Sequence, residues 1–111
     1  FNASDDNYTS SKDCVKFLES VENNEIAGAS QILTYMKEQE RRGKIPAGLP
    51  EGTVCANKTG ELEDAEHDAA IVSTDKGDYA ICVMSSGLND TAAARGKIVE
   101  ISGLVYQSMI N

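Results

Sequence analysis

The sequence predicts an α+β domain in which two helices precede a three-stranded antiparallel sheet in meander order, and a long C-terminal helix packs on that sheet. Two observations predict it. Apolar residues recur with the 3.6-residue period of a helix before residue 50 and again after residue 90. Between them lie short, continuous apolar runs that are typical of buried strands. The 111 residues fit one segment, with a helical part at 1–50 and the sheet and final helix at 51–111.

Both N-terminal helices carry start or stop signals. The first begins after Ser10, whose hydroxyl can cap the first turn. Its apolar face has the spacing i, i+3, i+4 and i+7 and consists of Cys14, Phe17, Leu18 and Val21. The second helix is predicted over residues 29–42, with Gly43 as a left-handed C-cap. A Pro/Gly connector with one helical turn is expected at 45–50, and a polar connecting segment at 1–9.

Three strands are predicted, at residues 53–58, 67–73 and 79–84. The second and third are continuously apolar over most of their length, which predicts a sheet that is covered on both faces. The turn residues Asp75-Lys76-Gly77-Asp78 join them, so we expect these two strands to form an antiparallel hairpin.

The final helix is predicted over residues 91–109, capped by Asn89 or Asp90. Its expected core stripe consists of Ala94, Ile98, Ile101, Val105 and Met109. Gly96 and Gly103 lie seven residues apart on one side, and each costs about 1 kcal/mol relative to Ala in a helix interior. We therefore expect the helix to approach the sheet closely at both glycines.

Composition excludes several classes of partner. Ten basic against eighteen acidic residues give a net charge of -8, which argues against nucleic acid or an anionic membrane. No apolar run approaches the 18 residues of a transmembrane helix. The cysteines Cys14, Cys55 and Cys82 lie in apolar patterns without C-x-x-C spacing, so we expect buried free thiols and neither a disulfide framework nor a zinc site. The chain does not begin with Met, which indicates a processed product or a piece of a longer protein.

The most specific local pattern surrounds Lys58-Thr59-Gly60. In chain order it consists of Gly48-Leu49-Pro50, Val54, Lys58-Thr59-Gly60-Glu61-Leu62, His67-Asp68-Ala69-Ala70-Ile71-Val72 and Gly77-x-Tyr79. Together with Thr9-Ser10-x-Lys12-Asp13, it resembles the C-terminal portion of the class A β-lactamases and similar penicillin-recognising serine hydrolases, over about residues 7–109. The resemblance implies part of a β-lactamase/transpeptidase-like fold.

The resemblance also implies a role for each residue of the motif. The substrate would be a β-lactam or a D-alanyl peptide, and both carry a carboxylate. The ammonium of Lys58 would attract this carboxylate and the hydroxyl of Thr59 would donate a hydrogen bond to it. Gly60 has no Cβ, so the substrate could lie against the backbone. The backbone N–H of Glu61 would be one of two oxyanion-hole donors. No metal and no cofactor are implied.

The catalytic machinery of the resembling family is missing from this stretch. That family has a nucleophile in a Ser-x-x-Lys helix start, a Ser-Asp-Asn turn and a Glu in an omega loop. The only Ser-x-x-Lys here is residues 73–76, in the predicted hairpin turn, and Ser4-Asp5-Asp6-Asn7 is not Ser-Asp-Asn. We expect the intact protein to open a β-lactam through an acyl-serine intermediate, and the isolated chain to be inactive.

Three alternatives remain open: a fragment of a D-alanyl-D-alanine peptidase or penicillin-binding protein, a non-catalytic binding module on the same fold, and a small acidic domain whose Lys-Thr-Gly is accidental. The last predicts that residues 53–58 do not pair with residues 67–73, or that Lys58 faces bulk solvent with no cleft. An acidic cluster with the only histidine is made of Glu61, Glu63, Asp64, Glu66, His67 and Asp68. It lacks EF-hand spacing, so a solvated loop is favoured over a cation site, and His67 lacks a nearby Ser or Cys partner for general-base chemistry.

Two further expectations come from the family pattern. It places two more strands beyond the third one, so that strand would be an unpaired edge here. We therefore expect a homo-oligomer or a swapped dimer if the chain is the whole molecule. The family works outside the cytoplasmic membrane, which implies a secreted or cell-envelope location without membrane insertion.

Overall fold

The computed structural model describes residues 9–111, and this part of the chain folds into helices on both faces of a three-stranded sheet. The elements are, in chain order, α1 (Ser11–Glu22), α2 (Ala29–Lys37), a 3-10 turn (Ile45–Gly48), β1 (Cys55–Leu62), β2 (Ala65–Thr74), β3 (Gly77–Ser85) and α3 (Thr91–Ile110). The sheet is antiparallel with the order β1-β2-β3, as the sequence predicts. The predicted connecting segment at 1–9 falls outside the described residues, apart from Thr9.

Both faces of the sheet are covered, which confirms the prediction from its continuous apolar strands. Residues alternate between the two faces, as the two-residue period of a strand requires. The face under α3 and the 3-10 turn buries Ile45, Cys55, Ala70, Val72, Tyr79, Ile81 and Ile98. The face under α1 and α2 buries Leu18, Ala56 and Ile71, with Leu33, Met36, Ala69 and Ala80 packed around them.

The first helix follows the sequence closely and the second is shorter than predicted. The Ser10 hydroxyl accepts a hydrogen bond from the Asp13 N–H at 3.1 Å, which caps α1. Helix α2 ends at Lys37 and not at residue 42, with Glu38 as its C-cap. The reason is tertiary, because the carbonyl of Arg41 accepts a hydrogen bond from the Asn57 amide at 3.2 Å. The chain leaves the helix to reach the sheet, and Gly43 is not its cap.

The first strand begins and ends later than predicted. It spans residues 55–62, so Lys58-Thr59-Gly60 lies inside β1 and not at its end. The second strand begins at Ala65, before the predicted His67, because β1 and β2 form a tight hairpin in which Leu62 pairs with Ala65. Part of the acidic cluster is therefore sheet and not a solvated loop. The hairpin of β2 and β3 is confirmed, with Thr74 opposite Gly77.

The predicted stripe of α3 is right in part, since Ala94 and Val105 are half-buried and Val105 packs against the core. Only Ile98 of that stripe is fully buried, whereas Ile101 and Met109 are 40% and 48% exposed. The buried partner of Ile98 on this helix is Ser102, whose hydroxyl donates a hydrogen bond to the Ile45 carbonyl at 2.7 Å. The helix thus packs against the 3-10 turn as well as against the sheet. Its fully buried residues are Ile98 and Ser102.

The glycines of α3 do not bring it onto the sheet. A Cβ on Gly103 would lie 3.3 Å from the carbonyl of Gly48, so its close neighbour is the 3-10 turn. A Cβ on Gly96 would have no atom within 4 Å, so the predicted close approach is wrong there. The tightest contact lies on the other side of the interface, at Gly48.

A buried polar network ties the 3-10 turn to the sheet. The ammonium of Lys44, only 3% exposed as a residue, lies 2.7 Å from Glu66 Oε2, and Arg95 lies 2.6 Å from Glu66 Oε1. Asp68 accepts a hydrogen bond from the Ile45 N–H at 2.9 Å. Burial raises the pKa of Asp68. Burial also acts to raise the pKa of Glu66, but the hydrogen bonds and charges of Lys44 and Arg95 outweigh it and lower that pKa.

The three cysteines are free thiols. Cys55 is buried, as expected, and burial raises its pKa to about 11. Cys14 and Cys82 are only half-buried, so the expected full burial is wrong for these two. No helix within residues 9–111 combines the length and the apolarity needed to cross a membrane. Strand β3 has β2 as its one strand neighbour in the described chain, and association through its other edge stays a prediction.

Substitution of Gly48 tests the contact between the 3-10 turn and α3. A Cβ there would clash with the Val99 carbonyl and would lie 2.8 Å from Ser102 Cβ. We expect Gly48→Ala to lower the free energy of unfolding by about 1–3 kcal/mol, because backbone must shift to relieve the overlap. Gly96→Ala is the matched control and should raise it by about 1 kcal/mol. Urea unfolding measures both, and equal effects of the two substitutions would contradict the packing described here.

The pH dependence of stability tests the pairing of Glu66. Its folded-state pKa lies below the ordinary value of 4.5, so its contribution is present above pH 4.5 and is lost as the pH falls through the folded-state value. We expect Glu66→Gln to cost about 3 kcal/mol at pH 7, and the difference from wild type to shrink on acidification. Glu100→Gln, at an exposed pair with Lys97, should show almost no difference at any pH. A pH-independent difference for Glu66→Gln would contradict the prediction.

Candidate functional site

The predicted site residues border one cavity. This cavity of about 690 Å³ lies between α1, α2 and the sheet, and Lys58, Thr59 and Gly60 of β1 all line it. Most of its other walls are apolar and come from residues such as Phe17 and Met36. Glu61 is not among its lining residues. The structure therefore brings the three motif residues together beside a concavity.

Within residues 9–111, β1 lies at one edge of the sheet, and its hydrogen-bond phase decides which of its backbone groups face that edge. The Ser73 N–H donates to the Val54 carbonyl at 3.0 Å, and the register runs without a bulge from there to Leu62. In an antiparallel pair, hydrogen-bonded and non-hydrogen-bonded positions alternate. Gly60 therefore directs its N–H and C=O toward β2, whereas Thr59 and Glu61 direct theirs toward the open edge.

The side chain of Lys58 reaches the same edge. It is exposed, and its ammonium donates to the outward carbonyl of Thr59 at 2.6 Å. This contact agrees with the backbone phase, since it requires the Thr59 carbonyl to point away from β2. The ammonium of Lys58 and the N–H of Glu61 thus lie along one free edge.

The hydroxyl of Thr59 occupies a different position from the one that its predicted role suggests. Strand alternation places this side chain on the face of Asn57 and Asp68, opposite the face of Lys58. Thr59 is 5% exposed, and its Oγ1 has no hydrogen-bond partner within residues 9–111. The pKa of the neighbouring Glu61 carboxyl is lowered in part by the side chain of Thr59, so the hydroxyl has a polar neighbour within the chain. The Lys58 ammonium and this hydroxyl therefore lie on opposite faces of the sheet, and the hydroxyl is buried.

Gly60 lies opposite His67 in the sheet and packs against its imidazole ring. It pairs with His67, and a Cβ at position 60 would lie 3.4 Å from His67 Cδ2. The imidazole Nδ1 accepts a hydrogen bond from the Ser85 N–H at 3.2 Å, so Nε2 carries the proton in the neutral ring. A Cβ at position 60 would meet this ring at ordinary van der Waals distance, so the ring does not by itself require glycine there.

The carboxylate of Glu61 is turned away from the open edge. It lies 3.0 Å from Arg41 and 3.0 Å from Lys44. The hydrogen bond from Lys44 lowers the pKa of this carboxyl, the charges of Lys44 and Arg41 act in the same direction, and burial opposes them. The negative side chain is thus neutralised on one side, and the backbone N–H stays at the other.

The remaining candidates of the sequence do not form a second site. Ser73 lies near the end of β2, opposite Asp78, and Lys76 lies in the turn, so this Ser-x-x-Lys is not on a helix face. Within residues 9–111, no group of three or more His, Cys, Asp or Glu side chains is arranged to hold a metal ion. Sequence reasoning missed Lys44, and no local signal marks it, because its partners are 16 to 23 residues away.

Comparison with known proteins agrees with this architecture. The model of the beta-lactamase enzyme family matches residues 1–109. The TLA-1 extended-spectrum beta-lactamase is 26% identical, with a TM-score of 0.88 over 95% of this chain and 43% of its own. PBP-A is also 26% identical, with a TM-score of 0.78 over 90% and 39%. A beta-lactamase of Sphaerobacter thermophilus, at 20% identity, shares the fold with a TM-score of 0.89 over 98% and 43%.

The chain spans about two fifths of the length of these solved structures. No curated protein is significantly similar to it in sequence. The family match nevertheless extends over almost every residue, and the solved structures share its sheet and helices. The chain belongs to the beta-lactamase enzyme family.

Proposed function

We propose that this chain supplies the substrate-binding edge of a serine hydrolase that opens β-lactams through an acyl-serine intermediate. The observation that carries the proposal is the shared edge: the Lys58 ammonium, the bare backbone of Gly60 and the outward N–H of Glu61 follow one another along β1, and Lys58 and Gly60 also line the cavity. In this role Lys58 attracts the substrate carboxylate and Thr59 donates a hydrogen bond to it.

Charge supports Lys58 as the anchor. The chain has a net charge of -8, so an anionic ligand is repelled by most of its surface. Of the described residues that line the cavity, Lys58 is the one lysine or arginine. Because its side chain is exposed, its attraction for a carboxylate about 4 Å away is on the order of 1 kcal/mol. That is enough to orient a ligand but not to bind it tightly.

The N–H of Glu61 supports the chemical step. When a serine oxygen attacks the lactam carbonyl, the carbonyl oxygen becomes an oxyanion, and the C–N bond of the ring then breaks to leave an acyl-serine. A donor that is fixed before the reaction stabilises this oxyanion, and loss of one such donor typically costs about 10² to 10³ in rate. The serine that attacks, the second donor and the group that activates water would come from outside this stretch.

A peptidase is the second candidate. PBP-A matches the chain about as closely in sequence as the TLA-1 enzyme does, and one solved form of PBP-A is an acyl-enzyme complex with penicillin G. A D-alanyl-D-alanine peptide also ends in a carboxylate, so the same edge suits it. A non-catalytic module that only binds such ligands remains the third. Either enzyme would act outside the cytoplasmic membrane, as the family does.

Ligand titration tests the anchor role of Lys58. We expect a β-lactam added to the ¹⁵N-labelled chain to shift the amide signals of residues 58–61. Lys58→Ala should weaken the Kd about fivefold to tenfold, because roughly 1 kcal/mol of attraction is lost. Lys76→Ala, in the distant hairpin turn, is the matched control and should leave the Kd unchanged. Equal changes in Kd for the two substitutions, or amide shifts centred away from residues 58–61, would contradict the proposal. A parallel titration with a D-alanyl-D-alanine peptide compares the two substrate classes.

A chromogenic β-lactam tests whether the chain holds a nucleophile. We expect no turnover above the buffer rate by the 111-residue chain, because an ammonium, a hydroxyl and an amide N–H position and polarise but do not attack. Ser73→Ala should change nothing, since Ser73 lies at the far end of β2 from the site. Turnover by the chain that Ser73→Ala abolishes would overturn this assignment.

A further inference from the structure

We propose that Lys44 is a positioning residue that orients and polarises the peptide between Gly60 and Glu61, so that the Glu61 N–H becomes a stronger donor to an oxyanion. The effect on an oxyanion rests on the proposed function, whereas the polarisation of this peptide group by Lys44 does not. It names a residue outside the Lys-Thr-Gly motif that the chemistry of the edge depends on.

The contacts of Lys44 converge on one end of the hairpin between β1 and β2. Its ammonium donates to the carbonyls of Gly60 at 3.3 Å and His67 at 3.0 Å. The carboxylates of Glu61 and Glu66 lie 3.0 Å and 2.7 Å from the same nitrogen. An ammonium has three protons, and hydrogen bonds to Gly60, Glu61 and His67 use all three, so Glu66 acts on it as an ion pair. These contacts fix the side chain, which is 4% exposed.

The peptide between Gly60 and Glu61 connects Lys44 to the open edge. It is trans, as the described peptide bonds all are, so its C=O and its N–H point in opposite directions. The strand phase directs the Gly60 carbonyl toward β2 and the Glu61 N–H toward the free edge. Lys44 therefore holds the inner end of the group whose outer end would meet the oxyanion.

A cation on the carbonyl changes the donor at the other end. A hydrogen bond from an ammonium draws electron density toward the carbonyl oxygen and increases the positive charge on the amide hydrogen, as in other chains of hydrogen bonds. The effect is larger where solvent is excluded, and Lys44 and Glu66 are both almost fully buried. Because the contact exists before any ligand binds, no reorganisation is needed during the reaction.

Lys44 has a different role from Lys58. It does not line the cavity, so it is not placed to meet a substrate carboxylate directly. Its charge faces Glu61 and Glu66, while Arg41 shares Glu61 and Arg95 shares Glu66. Arg41 contacts the Glu61 carboxylate at 3.0 Å, and no contact joins it to the Gly60 carbonyl. It therefore provides a matched control for the charge beside Glu61 without the contact to the peptide.

Amide exchange of the 111-residue chain tests the inference with a readout whose sign separates polarisation from simple loosening. Base-catalysed exchange removes the amide proton, so a polarised N–H exchanges faster. We expect Lys44→Met to slow exchange of the Glu61 amide about fivefold and to move its proton signal upfield. A fivefold change corresponds to about 1 kcal/mol, which is less than the free energy of a charge-assisted hydrogen bond. Arg41→Met should stay within about twofold of wild type, because Arg41 does not contact the Gly60 carbonyl.

Two results would overturn the inference. One is faster exchange at Glu61 together with its neighbours in β1, which is what a purely structural role of Lys44 predicts. The other is an equal effect of Lys44→Met and Arg41→Met, which would assign the change to charge alone. Should Lys44→Met not fold, Lys44→Gln keeps a neutral donor to the Gly60 carbonyl, and we expect a smaller slowing; an unchanged rate would then count against polarisation.

A β-lactam titration of the same variants separates this inference from the proposed function. If the wild-type chain does not bind the β-lactam, the proposed function fails while the exchange result still decides the role of Lys44. If it binds, Lys44→Met should weaken the Kd about threefold, and Arg41→Met should not. Binding that is indifferent to both substitutions would show that the polarised peptide, if exchange detects it, does not contact this ligand.

Discussion

The rest of the structure depends on the buried ammonium of Lys44. Placing a charge in the interior costs several kcal/mol unless every proton finds an acceptor. Here the acceptors come from two strands, as carbonyls at Gly60 and His67 and as carboxylates at Glu61 and Glu66. The connector before β1 is therefore held in place by the sheet, and the sheet edge is held in register by the connector. This mutual constraint also explains why α2 ends early, since the chain must leave the helix in time to place Lys44.

The contacts of Lys44 hold the edge of β1 in a fixed position, with its outward backbone groups available to a ligand. An edge strand presents unpaired N–H and C=O groups, which are an aggregation hazard unless something covers or occupies them. In β1 the outward groups near the cavity are those of Thr59 and Glu61, and the Lys58 ammonium already occupies the Thr59 carbonyl. The N–H groups of Thr59 and Glu61 are left as donors in the described residues, and the Glu61 N–H is the one that follows Gly60. A ligand with a carbonyl or carboxylate oxygen satisfies it, whereas another strand would need an acceptor in matching register.

The sequence predicted the parts of this arrangement that local patterns encode. The order of elements, the capping of α1 by Ser10 and the hairpin at Gly77 follow from periodicity and turn chemistry. The extent of α2 and the buried face of α3 did not, because each is decided by a long-range polar contact, Asn57 to Arg41 and Ser102 to Ile45 respectively. The start of β2 was missed because the tight hairpin with β1 carries no glycine or proline turn signal. The motif located the candidate site. Which backbone groups of β1 face the open edge could be decided only from the register of β1 and β2.

The positions of Lys58 and Thr59 on opposite faces of the sheet have a consequence for recognition. A ligand that lay on one face of the sheet would meet either the ammonium or the hydroxyl, but not both. A ligand aligned along the edge of β1 would meet the Lys58 ammonium and the outward backbone groups of Thr59 and Glu61, whereas the Thr59 hydroxyl is buried. The Lys-Thr-Gly sequence therefore has its chemical meaning only at an edge strand, since in a central strand the same three residues would have their backbone groups paired on both sides. The absence of a Cβ at Gly60 leaves the backbone accessible where an edge-bound ligand would pass it.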